Sequence, residues 1–349
     1  MTDFERYIIQ GEPDKSEKAK IWQTAIGLQD VDGLKPSEYL LKTAEQHIEG
    51  DITISEVKYL IDSYYESKGA RFDSEYEGTE EADKVAARIT EILSEKSFSF
   101  TPDYLIRIHQ RLFDGVYDHA GQIRKKNISK KEWILDSDTV TYSGYDMIHQ
   151  TLEYDFSQER GTDYPSMTAD QAIKHICSFV SGIWQIHPFA EGNTRTTAVF
   201  TMKYLQTFGF KVDNTIFKNH SWYFRNALVR AKYNEFYKGI SATDIFLIKF
   251  FENLLLGKTN ILSNREMHIS NIQSINSKYQ NDTLNCTLDE LAVIRYLKEN
   301  PTAKQEDIAR YIGKSLSTVK RMTPNLIKKG LLDRKNGKRN GSWIVKILL

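Results

Sequence analysis

The sequence predicts a mainly α-helical protein: a helical body carrying one short β-prone flap, followed by a basic unit of three helices and two strands. Three observations predict it. Apolar residues recur at three- and four-residue spacings through most of the first 260 positions, the stretch 117–145 breaks that period, and basic charge gathers after residue 300.

The elements follow in order. Glu17 to Leu28, Ser37 to Ile48 and Ser55 to Tyr65 carry helical apolar stripes, punctuated by Gly33-Leu34-Lys35-Pro36 and Gly50-Asp51. Two more helices are predicted over 81–114, with Thr101 as N-cap and Pro102 in the first turn. Ile123 to Ile128, Trp133 to Leu135 and Thr139 to Tyr142 are β-prone segments between polar turns and predict a small β-hairpin flap. Helical spacing returns over Ala169 to Trp184, Thr196 to Phe208, Trp222 to Ala231 and Ser241 to Leu256. Residues 261–286 read as a linker. Leu288 to Lys298, Lys304 to Ile312 and Ser315 to Lys329 then give three helices, and Leu331 to Asp333 and Trp343 to Ile347 two strands. The domain plan is therefore 1–100, an N-terminal helical region; 101–260, the core; 261–286; and 287–349.

Composition narrows the classes of function. The 47 basic and 47 acidic residues cancel, so the chain as a whole projects no long-range field toward nucleic acid or membrane. The two cysteines, Cys177 and Cys286, are far apart and outside metal-ligand spacing, which fits a reducing cytoplasm. The first twenty residues are charged throughout and predict no secretory leader. The most apolar run, Ile245 to Leu256, is too short and too charged to span a bilayer, so no membrane partner is expected.

The most informative segment is His187-Pro188-Phe189-Ala190-Glu191-Gly192-Asn193-Thr194-Arg195-Thr196. If it is a loop feeding a helix that begins near Thr196, the amides around Gly192, Asn193 and Thr194 point unpaired into the space before the helix. The helix dipole favours an anion there. Arg195 adds a cation able to bind phosphate bidentately. Glu191 offers the hard oxygen that magnesium shares with phosphates, and His187 is the side chain suited to accept a hydroxyl proton near neutral pH.

This string resembles the signature of the Fic (Fido) family, His-x-Phe-x-Asp/Glu-Gly-Asn-Gly-Arg-x-x-Arg. His187, Phe189, Glu191, Gly192, Asn193 and Arg195 stand at the required offsets, and Ala120-Gly121-Gln122-Ile123-Arg124 is similar to the family's Ala-Gly-x-x-Arg before the flap. Residues 30 to 260 fit the family's plan, a Fic-type helical bundle.

The resemblance implies a protein adenylyltransferase, moving AMP from the co-substrate ATP to a Ser, Thr or Tyr hydroxyl of a target protein. In that scheme His187 is the base and Glu191 holds Mg²⁺. Gly192, Asn193, Thr194 and Arg195 bind the phosphates, and Arg195 neutralises the leaving pyrophosphate. Removal of AMP, transfer of another nucleotide-derived group, and a non-enzymatic DNA-binding regulator with a nucleotide-sensing body are the alternatives. Two positions depart from the pattern. Thr194 replaces a glycine, and Ala198 replaces the second arginine, which engages the γ-phosphate in the family.

Members of the family are commonly restrained by a helix carrying Ser/Thr-x-x-x-Glu-Gly/Asn. Glu45-Gln46-His47-Ile48-Glu49-Gly50 resembles it, with Glu45 at the Ser/Thr position. The resemblance makes Glu49 inhibitory, pairing with Arg195 or with another group in the absence of the second arginine. From the residues alone, Glu49 is a helix-end residue and Gly50 its C-cap. His109 and His175 read as core histidines, and Arg124 as a flap or ion-pair residue. The run Trp222 to Arg225 reads as core packing in a region that, by the resemblance, shapes the nucleoside pocket.

Residues 301–349 hold twelve Lys or Arg against three acids, so their net charge is 12 − 3 = +9. Three helices and a basic two-stranded tip look like a winged helix-turn-helix, with Ser317, Thr318, Lys320 and Arg321 on the recognition helix and Lys335, Lys338 and Arg339 on the wing. Double-stranded DNA is the partner this charge suggests, with protein docking as the alternative for such a unit. Pro324, inside the recognition segment, is expected to bend it.

Overall fold

The computed structural model describes residues 4–68, 74–210, 215–274, 286–335 and 341–346. The chain enters through α1 (Glu5–Gln10) and α2 (Pro13–Gly27), which has proline at its first position. The helix α3 (Glu38–Glu49) starts where the Ser37 hydroxyl accepts the Leu40 N–H and stops at Gly50, held at φ 91°. It is followed by α4 (Ile54–Lys68), α5 (Ser74–Ser94) and α6 (Pro102–Phe113), the last capped by Thr101 as the sequence predicts.

After the flap come α7 (Ile148–Arg160), α8 (Ala169–Ile186), α9 (Asn193–Thr207) and α10 (Thr215–Lys232), the last kinked at His220. The predicted helix over 241–256 is shorter: α11 (Ile245–Phe251) passes into a π-turn, Glu252–Leu256. The helix α12 (Asn264–Met267) begins the connector.

Every residue of α9 from Asn193 to Leu205 is buried, so this helix is the axis of the body. Beneath it Phe100 lies within 4.7–5.9 Å, centroid to centroid, of Phe156, Phe179, Phe200 and Tyr204. Burial of such rings, at about 1.5–3 kcal/mol each, fixes how α7, α8 and α9 meet.

The flap differs from expectation. Residues 117–145 form no strand; their regular elements are a 3₁₀ turn, Trp133–Leu135, and the start of another, Tyr145–Met147. The segment makes local turn bonds and ties itself to the body, with no strand ladder of its own. Arg124 N–H reaches Pro188 O at 2.9 Å, Ser143 N–H reaches Gln185 O at 3.4 Å, and the Gln185 amide reaches Thr141 O at 3.0 Å. Across its tip Glu132 N–H bonds Asp138 O at 2.9 Å and Ser137 N–H bonds Glu132 O at 3.0 Å.

The C-terminal unit comprises α13 (Leu288–Glu299), α14 (Gln305–Ile312), α15 (Leu316–Lys328), β1 (Leu332–Lys335) and β2 (Ser342–Val345), the strands antiparallel with Leu332 opposite Val345. This is the three-helix, two-strand order of a winged helix. Pro324 does not break α15, which runs on to Lys328. The exposed proline forfeits a single helical bond on the solvent side. Lys338 and Arg339 lie outside the described residues.

The unit is docked on the body. Arg295 donates to the carbonyls of Leu254 and Leu255, at 2.6 and 3.0 Å, which the end of the π-turn leaves open. Ala169 N–H bonds Cys286 O at 2.6 Å. Gly209, at φ 81°, permits a close approach of α14: a Cβ there would stand 2.9 Å from Ile312 Cα. Both cysteines are buried free thiols. Among the described residues no helix is long and apolar enough to cross a membrane.

Candidate active site

The motif loop joins α8 to α9. A capping box of Thr168 and Gln171 fixes the start of α8, and His187 ends it in the left-handed region, φ 51°, ψ 60°. A non-glycine residue there is held by its surroundings. The holder is Arg124, which is buried. Its Nε donates to His187 O at 2.8 Å, and its terminal nitrogens reach Ile186 O at 3.3 Å, Lys126 O at 2.7 Å and Ser143 O. Arg124 thus straps the flap to the base of the loop.

The His187 ring is buried between Tyr142, 4.2 Å away centroid to centroid, and Trp184 at 5.3 Å. Its Nδ1 lies 3.1 Å from Trp184 O, an acceptor only, so Nδ1 carries the proton and Nε2 keeps its lone pair. Burial, aided by the positive charge of Lys130, lowers its pKa to about 3. The imidazole is therefore neutral at physiological pH.

The loop closes on Asn193. Its Oδ1 accepts Phe189 N–H at 3.0 Å and its Nδ2 donates to Phe189 O at 2.8 Å. Phe189 stacks on His109 at 3.7 Å. Nε2 of His109 donates to Glu191 O at 3.0 Å while Nδ1 accepts Gly121 N–H at 2.9 Å. Burial lowers the His109 pKa to about 4. The core role expected for His109 holds, with the addition that it braces the loop. Gly192 caps α9 at φ 74°, and a Cβ there would lie 2.3 Å from the Phe113 ring, so neither backbone nor space admits another residue.

The helix begins at Asn193, three residues before the expected start, because Gly192 can turn left-handed. Its first intrahelical bond is Thr196 N–H to Gly192 O, at 3.0 Å. The amides of Asn193, Thr194 and Arg195 thus face the space before the helix and have no acceptor among the described residues. They form a cradle of free donors suited to an anion. Thr194 leaves it clear, because its buried hydroxyl turns inward and accepts the Trp184 indole N–H at 3.0 Å.

Two expectations are corrected. Arg195 does not reach the cradle. Its side chain is 1% exposed, with Nε 2.8 Å from Asp32 Oδ2 and terminal nitrogens 2.5 Å from Glu81, 3.1 Å from Gln29 and 3.1 Å from the Tyr117 hydroxyl. The Asp32 contact is an ion pair but is not aligned as a hydrogen bond. Burial opposes the charge, yet Asp32, Tyr117 and Glu81 outweigh it and raise the arginine's pKa. Glu49 does not pair with Arg195 either. Its carboxylate takes Lys15 at 2.7 Å and the Tyr7 hydroxyl at 2.6 Å, beside the left-handed Gly50 cap.

Glu191 is the exposed carboxylate of the loop, its side chain 56% accessible, and Lys130 of the flap meets it at 2.6 Å. One such carboxylate at the mouth of an amide cradle fits a divalent cation that takes its other ligands from phosphate and water. Ala198 is fully buried. Arg225 pairs with Glu132 at 2.8 Å and Tyr233 with Asp138 at 2.7 Å, tying the flap to α10 and to the residue that follows it. Sequence reasoning missed Trp184, Lys130, Asp32 and Glu81. Of these only Trp184 carried a signal, lying one helical turn before His187.

Residues 99–205, which include the flap, the motif loop and α9 to Leu205, match the Fic/DOC family. They are a Fic domain. The family is in general one of nucleotidyl-type transferases. Residues 286–341 match the MarR family, the winged-helix unit. Among solved structures the chain is similar to a Fic family protein from Desulfovibrio desulfuricans G20. The two are 14% identical with a TM-score of 0.44, over 99% of this chain and 92% of that one. No curated protein matches the chain at a significant level.

Proposed function

We propose that the Fic domain transfers AMP from ATP to a Ser, Thr or Tyr hydroxyl of a target protein. The observation that carries this is a neutral imidazole with a bare Nε2 at one end of a loop whose other end is a cradle of free amides. The target hydroxyl gives its proton to Nε2 of His187 as its oxygen bonds the α-phosphorus. The bond from that phosphorus to the β-phosphate oxygen breaks, and pyrophosphate leaves with the electron pair. The amides of Asn193, Thr194 and Arg195 bind phosphate oxygens, and their fixed dipoles need no reorganisation. Glu191 would hold a divalent cation, whose positive charge would offset that of the phosphates. Bound phosphates also offset the burial that lowers the basicity of His187.

Incubation with labelled ATP, CTP, GTP and UTP, with Mg²⁺ and candidate proteins, tests the reading. Label that transfers from ATP and depends on His187 supports it. Label from another nucleotide selects the transferase of a different group, and hydrolysis of pre-modified protein selects removal of AMP. The enclosure of Arg195 favours a second reading, a nucleotide-sensing body without turnover. Binding of ATP with no transfer to any protein would select it.

We propose further that the winged helix contacts DNA. Ser317, Lys320, Arg321 and Lys328 are exposed at helical spacing on α15, whereas Lys314, Lys329 and Lys346 are paired with Asp289, Glu290 and Asp333. Affinity for random duplex that falls with salt supports this, and no binding at low salt selects a protein-docking role.

A further inference from the structure

The cradle lacks a cation that sequence reasoning assigned to it. Arg195 is enclosed by Asp32 and Glu81, and the position of the family's second arginine is a buried alanine. The flap supplies a different one. Lys130 is partly exposed and sits 2.6 Å from Glu191 Oε2, at the mouth of the cradle. Arg124, its neighbour on the flap, has its guanidinium spent on carbonyls.

The pair has a direct electrostatic consequence. Glu191 belongs to no group of three or more His, Cys, Asp or Glu able to hold a metal among the described residues. A divalent cation there relies on that carboxylate together with phosphate and water, and it competes with an ammonium already in place. Once displaced, the Lys130 ammonium stays within reach of the cradle on its flexible four-carbon stem.

We propose that Lys130 serves two anions in turn: it neutralises Glu191 in the empty site and binds the donor's phosphates once a divalent cation has taken that carboxylate. This rests on the Fic reading of the site. It makes the flap the sensor of a loaded donor.

The test is calorimetric titration of the full chain, its Lys130→Met and its Lys130→Arg variants, with Mn²⁺ alone and then with Mn²⁺–ATP. Thermal midpoints check the fold. Without the competing ammonium, Lys130→Met binds Mn²⁺ alone about twofold to fivefold tighter, the range expected for a partly exposed ion pair. It binds Mn²⁺–ATP about tenfold more weakly, as expected on losing a charge-assisted bond. Lys130→Arg keeps nucleotide affinity within about threefold, since its cation is retained.

Opposite signs in the two titrations are the signature, and a merely structural lysine moves both the same way or neither. Unchanged Mn²⁺ affinity in Lys130→Met, or Mn²⁺–ATP binding equal to wild type, overturns the proposal and leaves the Fic reading intact. A wild-type chain that binds no Mn²⁺–ATP overturns both.

Discussion

The Trp184 indole N–H donates to the Thr194 hydroxyl at 3.0 Å, while the carbonyl of the same tryptophan accepts His187 Nδ1 at 3.1 Å. One residue in the last turn of α8 therefore sets the tautomer of His187 and anchors the first turn of α9. It also explains why threonine stands where the family pattern has glycine. The buried indole needs an acceptor, and the threonine supplies it without entering the cradle.

Thr194→Val keeps the shape and removes the acceptor. The buried indole N–H is left unpaired, and unfolding in urea should show a loss of about 1–3 kcal/mol. Thr194→Ser retains the hydroxyl and should stay within about 1 kcal/mol of wild type. Equal stability of all three chains would contradict the role given to this bond.

Arg195 is enclosed with two carboxylates, so its removal should act first on stability. Arg195→Ala leaves Asp32 and Glu81 without their cation, and a loss of about 3–5 kcal/mol is expected in chemical denaturation. Arg195→Lys cannot reproduce the fork and should recover only part. An unchanged denaturation midpoint in Arg195→Ala, together with weakened nucleotide binding, would return this residue to the phosphate site.

Acid should weaken the fold through its histidines. Burial lowers His47 and His109 to about 4 and His187 to about 3, all below the unfolded value near 6.5. Their folded pKa values are depressed, so the stability they contribute is fully present above about pH 6.5. It falls as the unfolded chain takes up protons that the folded chain refuses, by up to about 1.4 kcal/mol per pH unit for each group between pH 6 and 4. Denaturation midpoints across that range check this, and His187→Ala should show a shallower slope by one proton. A flat profile would mean that these imidazoles reach water.

Glu49→Gly should leave nucleotide binding unchanged within about twofold, because the carboxylate pairs with Lys15 and Tyr7 on the surface of the N-terminal helices. Calorimetry with Mg²⁺–ATP decides. Tighter binding in the variant would restore Glu49 as the brake.

Periodicity made the helices legible because each amphipathic stripe reports its own burial, and the cap at Thr101 and the Gly50 stop were readable from local chemistry. The motif offsets located His187, Glu191 and the cradle for the same reason: residues nine apart in sequence are necessarily close. The partners of Arg195 were not legible. Asp32 and Glu81 come from elements 163 and 114 residues away, and no local pattern marks a carboxylate for that pairing. The flap misled because β-prone residues were read as pairing with each other, whereas Arg124, Ser143 and Gln185 bind the segment to the body.

The central claim is that His187 takes the proton from the attacking hydroxyl. Single-turnover transfer from ATP to an acceptor protein at pH 7, followed by intact-protein mass spectrometry, measures it for wild type and His187→Ala. The account predicts a fall in rate of about 10²–10⁴-fold in the variant, with nucleotide affinity within about threefold of wild type. Equal rates, or a loss of transfer that only tracks a loss of nucleotide binding, would contradict it.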